Sequence, residues 1–137
     1  MSYTGSVTGK FTIDPPLKWS EIKESRFYLG DKPGSRNDPG VILDVERSEI
    51  ETDDGVSIVF TSSSAVPWRE SFDCRNLEQD VKELADAMTE AGRTVRGEMV
   101  VGGEWVGDIW RVISDGAGVR KEEACFQWPD GTEVALG

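Results

Sequence analysis

The chain has 137 residues, and its 26 acidic and 15 basic side chains give a net charge of −11 at pH 7. This length supports a single domain, 1–137, with one core, and no apolar run approaches the roughly 18 residues that cross a bilayer. Because an excess of carboxylates repels phosphate groups, we expect no direct binding to nucleic acid or to an anionic membrane.

The chemistry available to the chain is limited by what the sequence lacks. It contains no histidine, the commonest general base and metal ligand, and only two cysteines, Cys74 and Cys125. Two cysteines make neither a zinc or iron–sulfur site nor a disulfide framework, and no P-loop or dinucleotide-binding glycine motif occurs. Since Met1–Gly5 has no secretory pattern, we expect a cytoplasmic protein. Because the usual catalytic and cofactor-binding residues are missing, we expect no cofactor and no enzymatic activity.

The first third of the chain predicts a strand, a short helix and a loop. Residues 6–13 alternate between apolar and polar side chains, as half-buried strands do. Asp14–Pro16 is expected to end that strand, because proline cannot donate a hydrogen bond to a neighbouring strand. Leu17–Glu24 is predicted to be a short helix, and the turn-forming residues of 30–40 predict a mobile loop.

A β-hairpin with one irregularity is predicted over 41–60. Its first strand alternates regularly until Ile50, which has the opposite parity, so we expect a β-bulge near Arg47–Ser48. Asp53–Gly55 suits a three-residue hairpin loop with glycine in the left-handed position, and this loop would place Ile50 opposite Ile58.

The strongest helix signal follows the hairpin. Asn76 and Gln79 are spaced as a capping box, and Gly92 stands where a helix C-terminus favours glycine. Between them, apolar residues recur at helical spacing and form one stripe: Leu77, Val81, Leu84, Ala85 and Met88.

Three more strands are predicted at about 94–101, 108–114 and 119–128. The resulting order, β-α-β-β-α-β-β-β, predicts an α+β fold, with an antiparallel sheet and two helices on one face. Its first six elements match a ferredoxin-like βαββαβ unit, which the C-terminal strands would extend. The alternative is a curled sheet wrapped around the long helix.

Three segments carry a family resemblance: Val7–Ile22, Gly107–Val112 and Trp128–Gly131. Together they resemble a family of small uncharacterised proteins, a domain of unknown function, of actinobacteria and their phages. The resemblance covers both ends of the chain and the helix between them, but not residues 30–75. It implies a phage or mobile-element origin and no particular activity.

The negative charge is concentrated, since segments 44–54 and 78–90 carry −9 of the net −11. With a bulge at 47–48, five hairpin carboxylates would share the solvent face: Asp44, Glu46, Glu49, Glu51 and Asp53. Alternate strand residues lie about 6.8 Å apart, a spacing comparable to that of phosphates along a nucleic-acid strand. One hypothesis is therefore a nucleic-acid mimic; the ordinary alternative is a solvated face that protects the sheet edge.

Trp105 lies in a glycine-rich turn, where we expect it to be the most exposed of the five tryptophans. It is a candidate contact residue, because tryptophan often dominates interface energy, although support of its own hairpin is the alternative. The five carboxylates and Trp105 together predict a non-enzymatic interaction protein. Its expected partner is a host protein that it modulates or inhibits, for example a nucleic-acid-handling enzyme.

Two further hypotheses stay open from the sequence. Glu98, Glu104 and Asp108 flank the Gly102–Gly103 turn and are candidates for a magnesium site or a carboxylate-dependent enzyme. A structural subunit could instead self-associate through a sheet edge or through the apolar Val134–Leu136 tail.

Overall fold

A computed structural model describes residues 3–30 and 38–135, so most of the predicted 30–40 loop lies outside the described residues. The described chain forms seven strands and two helices in this order: β1 (Thr4–Lys18), α1 (Trp19–Ile22), β2 (Val41–Thr52), β3 (Gly55–Pro67), β4 (Ser71–Asp73), α2 (Leu77–Glu90), β5 (Thr94–Gly102), β6 (Ile109–Asp115) and β7 (Val119–Glu123).

The seven strands form one antiparallel sheet in the order β2-β3-β1-β5-β6-β7, and the short β4 pairs with the start of β1. The broad prediction of an α+β fold with an antiparallel sheet and two helices is therefore confirmed. Within the described residues no helix has the length and apolar character that crossing a membrane requires.

The first strand does not end at its prolines, as the sequence predicted. β1 continues to Lys18, and the predicted helix over Leu17–Glu24 is reduced to the single turn of α1. The prolines are tolerated because they fall where the β1–β3 register slips, between Thr12 and Leu17, and beyond the last β5 partner of β1. No ladder hydrogen bond is lost at these positions.

The hairpin irregularity lies elsewhere than predicted. Between the pairs Asp44–Ser64 and Glu46–Thr61, β3 contains one residue more than β2, so the bulge is in β3 and not at 47–48. Thr52 pairs with Gly55, which shortens the loop to two residues, although Gly55 does have the predicted positive φ of 123°. Ile50 consequently faces Ser57 rather than Ile58.

Helix α2 closes one side of the core. Its apolar stripe is buried at Leu77, Val81, Leu84 and Met88, and the helix contacts β2, β5, β6 and β7. The helix ends at Glu90, and the predicted Gly92 follows the C-cap residue Ala91 with φ +77°, but the predicted capping box is absent. Asn76 has a ψ of 9°, outside the extended region from which a cap side chain reaches the helix N-terminus.

The last predicted strand is shorter than expected. β7 ends at Glu123, and in the described part of the following segment an isolated bridge pairs Gln127 with Glu133. Sheet order and register place two loops far apart. The β2–β3 turn lies at the C-terminal end of β1, whereas the β5–β6 loop follows Gly102, which pairs with Ser6 near the opposite end of β1.

Candidate functional site

The β2–β3 hairpin extends beyond the rest of the sheet, because β1 pairs with β3 no further than Lys18–Thr61. We call residues 47–60 the arm. Its pairs Arg47–Phe60, Glu49–Ile58 and Glu51–Val56 are directly opposite each other and therefore share one face. The Arg47 guanidinium lies 3.2 Å from the Glu49 carboxylate, as expected for alternate residues on one side of a strand.

An apolar row runs along this face of the arm. Near the body of the molecule, Phe60 packs on Trp19 with 5.2 Å between ring centroids. Further out the row is open to solvent, since Ile58 is 52% exposed and Val56 is 62% exposed. The arm therefore presents apolar side chains beside the carboxylates of one strand, an arrangement that a partner of matching chemistry would cover.

All five predicted hairpin carboxylates are exposed, but they do not form one row. The pairing of β2 is regular from Glu46 to Thr52, so Glu46 lies on the same side as Ile50, opposite the side of Glu49 and Glu51. The single acidic face was wrong because it required a bulge in β2. Asp44 shares the side of Glu46, and Asp53 lies in the turn.

The structure confirms that Trp105 is exposed, at 72%, more than any other tryptophan in the chain. Its loop is well hydrogen-bonded: the Asp108 amide donates to the Trp105 carbonyl at 3.0 Å, and the Glu104 carboxylate accepts from the Thr4 amide at 2.8 Å. This loop and the arm lie at opposite ends of the strands. Trp105 and the hairpin carboxylates, the candidate contact residues from the sequence, therefore lie on separate parts of the surface.

Trp105 borders a cleft of about 460 Å³ at its own end of the sheet. On the cleft wall, the Tyr3 hydroxyl donates to the Asp108 carboxylate and accepts from the Trp110 indole N–H at 3.3 Å. Burial, and secondly the bond to Asp108, raise the pKa of Tyr3, which keeps its hydroxyl protonated as a donor. The Lys121 ammonium lies over the Trp110 ring, 4.4 Å from its centroid.

The sequence interpretation missed Tyr3, Trp110 and Lys121. The contact of Trp110 with Lys121 had one sequence signal: in a pairing of the two predicted strands, these residues would be diagonal neighbours. No local pattern links Tyr3 with Asp108, because 105 residues separate them.

The hypothetical magnesium site is not assembled. Glu98 pairs with Arg111 at 3.0 Å, Glu104 binds the Thr4 amide, and Asp108 binds Tyr3. In the part of the chain that the structure describes, no group of three or more acidic or cysteine side chains is arranged to hold a metal ion. The three candidates therefore act in separate local contacts.

These features define a small acidic α+β protein with an exposed hairpin arm and, at the other end of the sheet, a tryptophan-bordered cleft. The chain belongs to the family of unknown function DUF6205, whose family model matches residues 1–137. The match therefore includes residues 30–75, to which the resemblance had not extended. Neither the curated proteins nor the solved structures include a match to this chain.

Proposed function

We propose that this protein is a non-enzymatic binding protein that engages a host protein through its arm. The surface of that partner would carry basic residues beside an apolar patch. The main support for this proposal is that Val56 and Ile58 are more than half exposed. They lie beside Glu49 and Glu51 on the same face of the arm. Exposed apolar side chains of this kind are covered in complexes, and flanking carboxylates favour a partner of opposite charge.

Charge also distinguishes between a basic partner and a second copy of the chain. Two arms facing each other would bring carboxylates against carboxylates, a repulsion that the net charge of −11 increases. A basic partner would instead be attracted over a distance of about 8 Å at physiological ionic strength. Occupation of such a surface is the way in which the protein would modulate its partner, and a phage or mobile-element origin stays a prediction.

The arm is best tested by site-specific photo-crosslinking in the native cell. A photoreactive phenylalanine analogue at Val56 is compared with the same analogue at Thr12, which is exposed on β1 away from the arm. We expect a discrete crosslinked protein from position 56 and none from position 12. The same products from both positions would contradict a role for the arm.

Affinity for the crosslinked protein then separates the two components of the surface. The double variant Val56→Thr/Ile58→Thr removes apolar area and should weaken Kd about tenfold or more. Glu49→Gln/Glu51→Gln should remove much of the salt dependence of binding. The control Asp86→Asn/Glu90→Gln changes the net charge equally on α2 and should leave Kd unaltered; equal effects from both charge variants would reject the proposal.

We also propose that strands β1, β2, β3 and β5, together with α1 and α2, form a ferredoxin-like unit. The order β2-β3-β1-β5 supports it, as does the position of α1 between β1 and β2 and of α2 between β3 and β5. Strands β6 and β7 would extend this unit and support the loop that carries Trp105.

A further inference from the structure

The cleft beside Trp105 has the size and lining of a small-ligand site. Its volume, about 460 Å³, falls within the usual range of about 300–1,000 Å³ for such sites. Three aromatic residues, Tyr3, Trp105 and Trp110, line it together with charged side chains. The backbone of Trp105 lies in a hydrogen-bonded turn, in which the Asp108 amide donates to the Trp105 carbonyl.

The cleft is lined by three carboxylates, those of Glu78, Asp108 and Glu123, and by two cations, Arg75 and Lys121, a balance that favours a cationic ligand. Arg75, its one arginine, is already paired with Asp73, at 2.8 Å between Nη2 and Oδ2. Lys121 lies on the face of Trp110. By contrast, the Glu123 carboxylate has no ion pair or hydrogen bond within the described residues, and Asp108 accepts only from Tyr3 among side-chain donors there.

We propose that this cleft binds a guanidinium group, which stacks on Trp105 and donates hydrogen bonds to Glu123 and Asp108. Guanidinium is planar and weakly hydrated, and it combines stacking on an aromatic ring with directional bonds to carboxylates. The contact between Lys121 and Trp110 shows that a cation already lies on an indole in this cleft. Anionic ligands are disfavoured because carboxylates outnumber cations in the lining.

The test is a titration with N-acetyl-arginine amide, followed through the indole N–H resonances in nuclear magnetic resonance spectra. The control ligand, N-acetyl-citrulline amide, keeps the planar shape but has no charge. We expect saturable shifts of the Trp105 resonance with the arginine compound and at least tenfold weaker binding of the citrulline compound. Equal binding of both, or no saturation with either, would overturn the proposal.

Variants locate the binding and show that the fold is intact. Trp105→Ala and Glu123→Gln should each weaken arginine binding severalfold, whereas Glu90→Gln on α2 should not. Since Trp105 is largely exposed, its replacement should leave Tm and the far-ultraviolet circular dichroism unchanged. Unaltered binding in both cleft variants would place the site elsewhere and contradict the proposal.

The source of the guanidinium is tested with the peptide Gly-Arg-Gly. Tighter binding of the peptide than of the amino-acid derivative indicates an arginine of a polypeptide, and the reverse order indicates a free guanidino compound. The proposal is independent of the arm, so Val56→Thr/Ile58→Thr should leave the arginine titration unchanged. Failure of either proposal is thus distinguishable from failure of the other.

Discussion

Cys74 shows how burial of a single residue outweighs its position in the sequence. It precedes α2, and a helix N-terminus lowers the pKa of a thiol. In the structure, however, Cys74 is 1% exposed, and its sulfur lies 3.2 Å from the Phe72 carbonyl oxygen. Burial, the dominant cause, raises the pKa of Cys74 to about 11, because the thiolate would lose its hydration.

We therefore predict that only Cys125 reacts with a thiol reagent in the native protein at pH 8. Both cysteines are free, and Cys125 is exposed. At pH 8, three units below its pKa of about 11, Cys74 is almost entirely the unreactive thiol. Colorimetric titration should count one thiol in buffer and two in urea, and Cys125→Ser should abolish the native signal. Rapid labelling of Cys74 in the native Cys125→Ser variant would contradict this prediction.

At the scale of elements, the sequence predicted those features that depend on local periodicity. The α2 stripe was predictable because its burial follows from 3.6-residue spacing. The bulge was misplaced because the prediction assumed that Ile50 is buried, whereas it is 49% exposed on an arm that has solvent on both faces. The alternation of apolar and polar residues along one strand gives no information about an extra residue in the neighbouring strand.

The features of the candidate sites also divide into those that local sequence predicts and those that depend on strand pairing. The exposure of Trp105 followed from its glycine-rich turn, and the exposure of the hairpin carboxylates followed from their charge. The lining of the Trp105 cleft could not be predicted, because it depends on the pairing of β1 with β5, which brings Tyr3 beside the β5–β6 loop. The open end of the arm also depends on where β1 stops pairing with β3.

The close pairing of β1 and β5 leads to a prediction about Gly97. It has a φ of +140°, and a Cβ atom at this position would lie 2.4 Å from the Lys10 carbonyl oxygen, a backbone atom that cannot turn away. Gly97→Ala should lower the free energy of unfolding by about 2 kcal/mol or more, from strain and displaced backbone.

Urea denaturation measures this loss, and Gly118→Ala is the matched control. Nothing lies within 4 Å of a Cβ atom at Gly118, so its replacement should change the free energy of unfolding little. Equal stability of the two variants would show that the β1–β5 pair has more space than the structure gives it.

At the scale of the whole molecule, repulsion between negative charges lowers the stability of the folded state. The chain has a net charge of −11, and its ion pairs are mostly on the surface, such as Arg47–Glu49, in which both side chains are more than half exposed. Such pairs each contribute about 0–1 kcal/mol. Repulsion among the remaining carboxylates opposes the compact state, in which they lie closer together than in the unfolded chain.

Added salt should therefore stabilise this protein. Between 10 and 150 mM sodium chloride the screening length falls from about 30 to about 8 Å, so long-range repulsion is reduced while short contacts persist. Tm, measured by circular dichroism, should rise over this range by about 3 °C, a shift that corresponds to about 1 kcal/mol for a chain of this size. The variant Glu49→Gln/Glu51→Gln/Asp53→Asn removes three of the clustered charges, and it should have a higher Tm at 10 mM and a smaller response to salt. A Tm that falls with salt in the unmodified protein would mean that the surface ion pairs outweigh the net charge, which their exposure to solvent does not support.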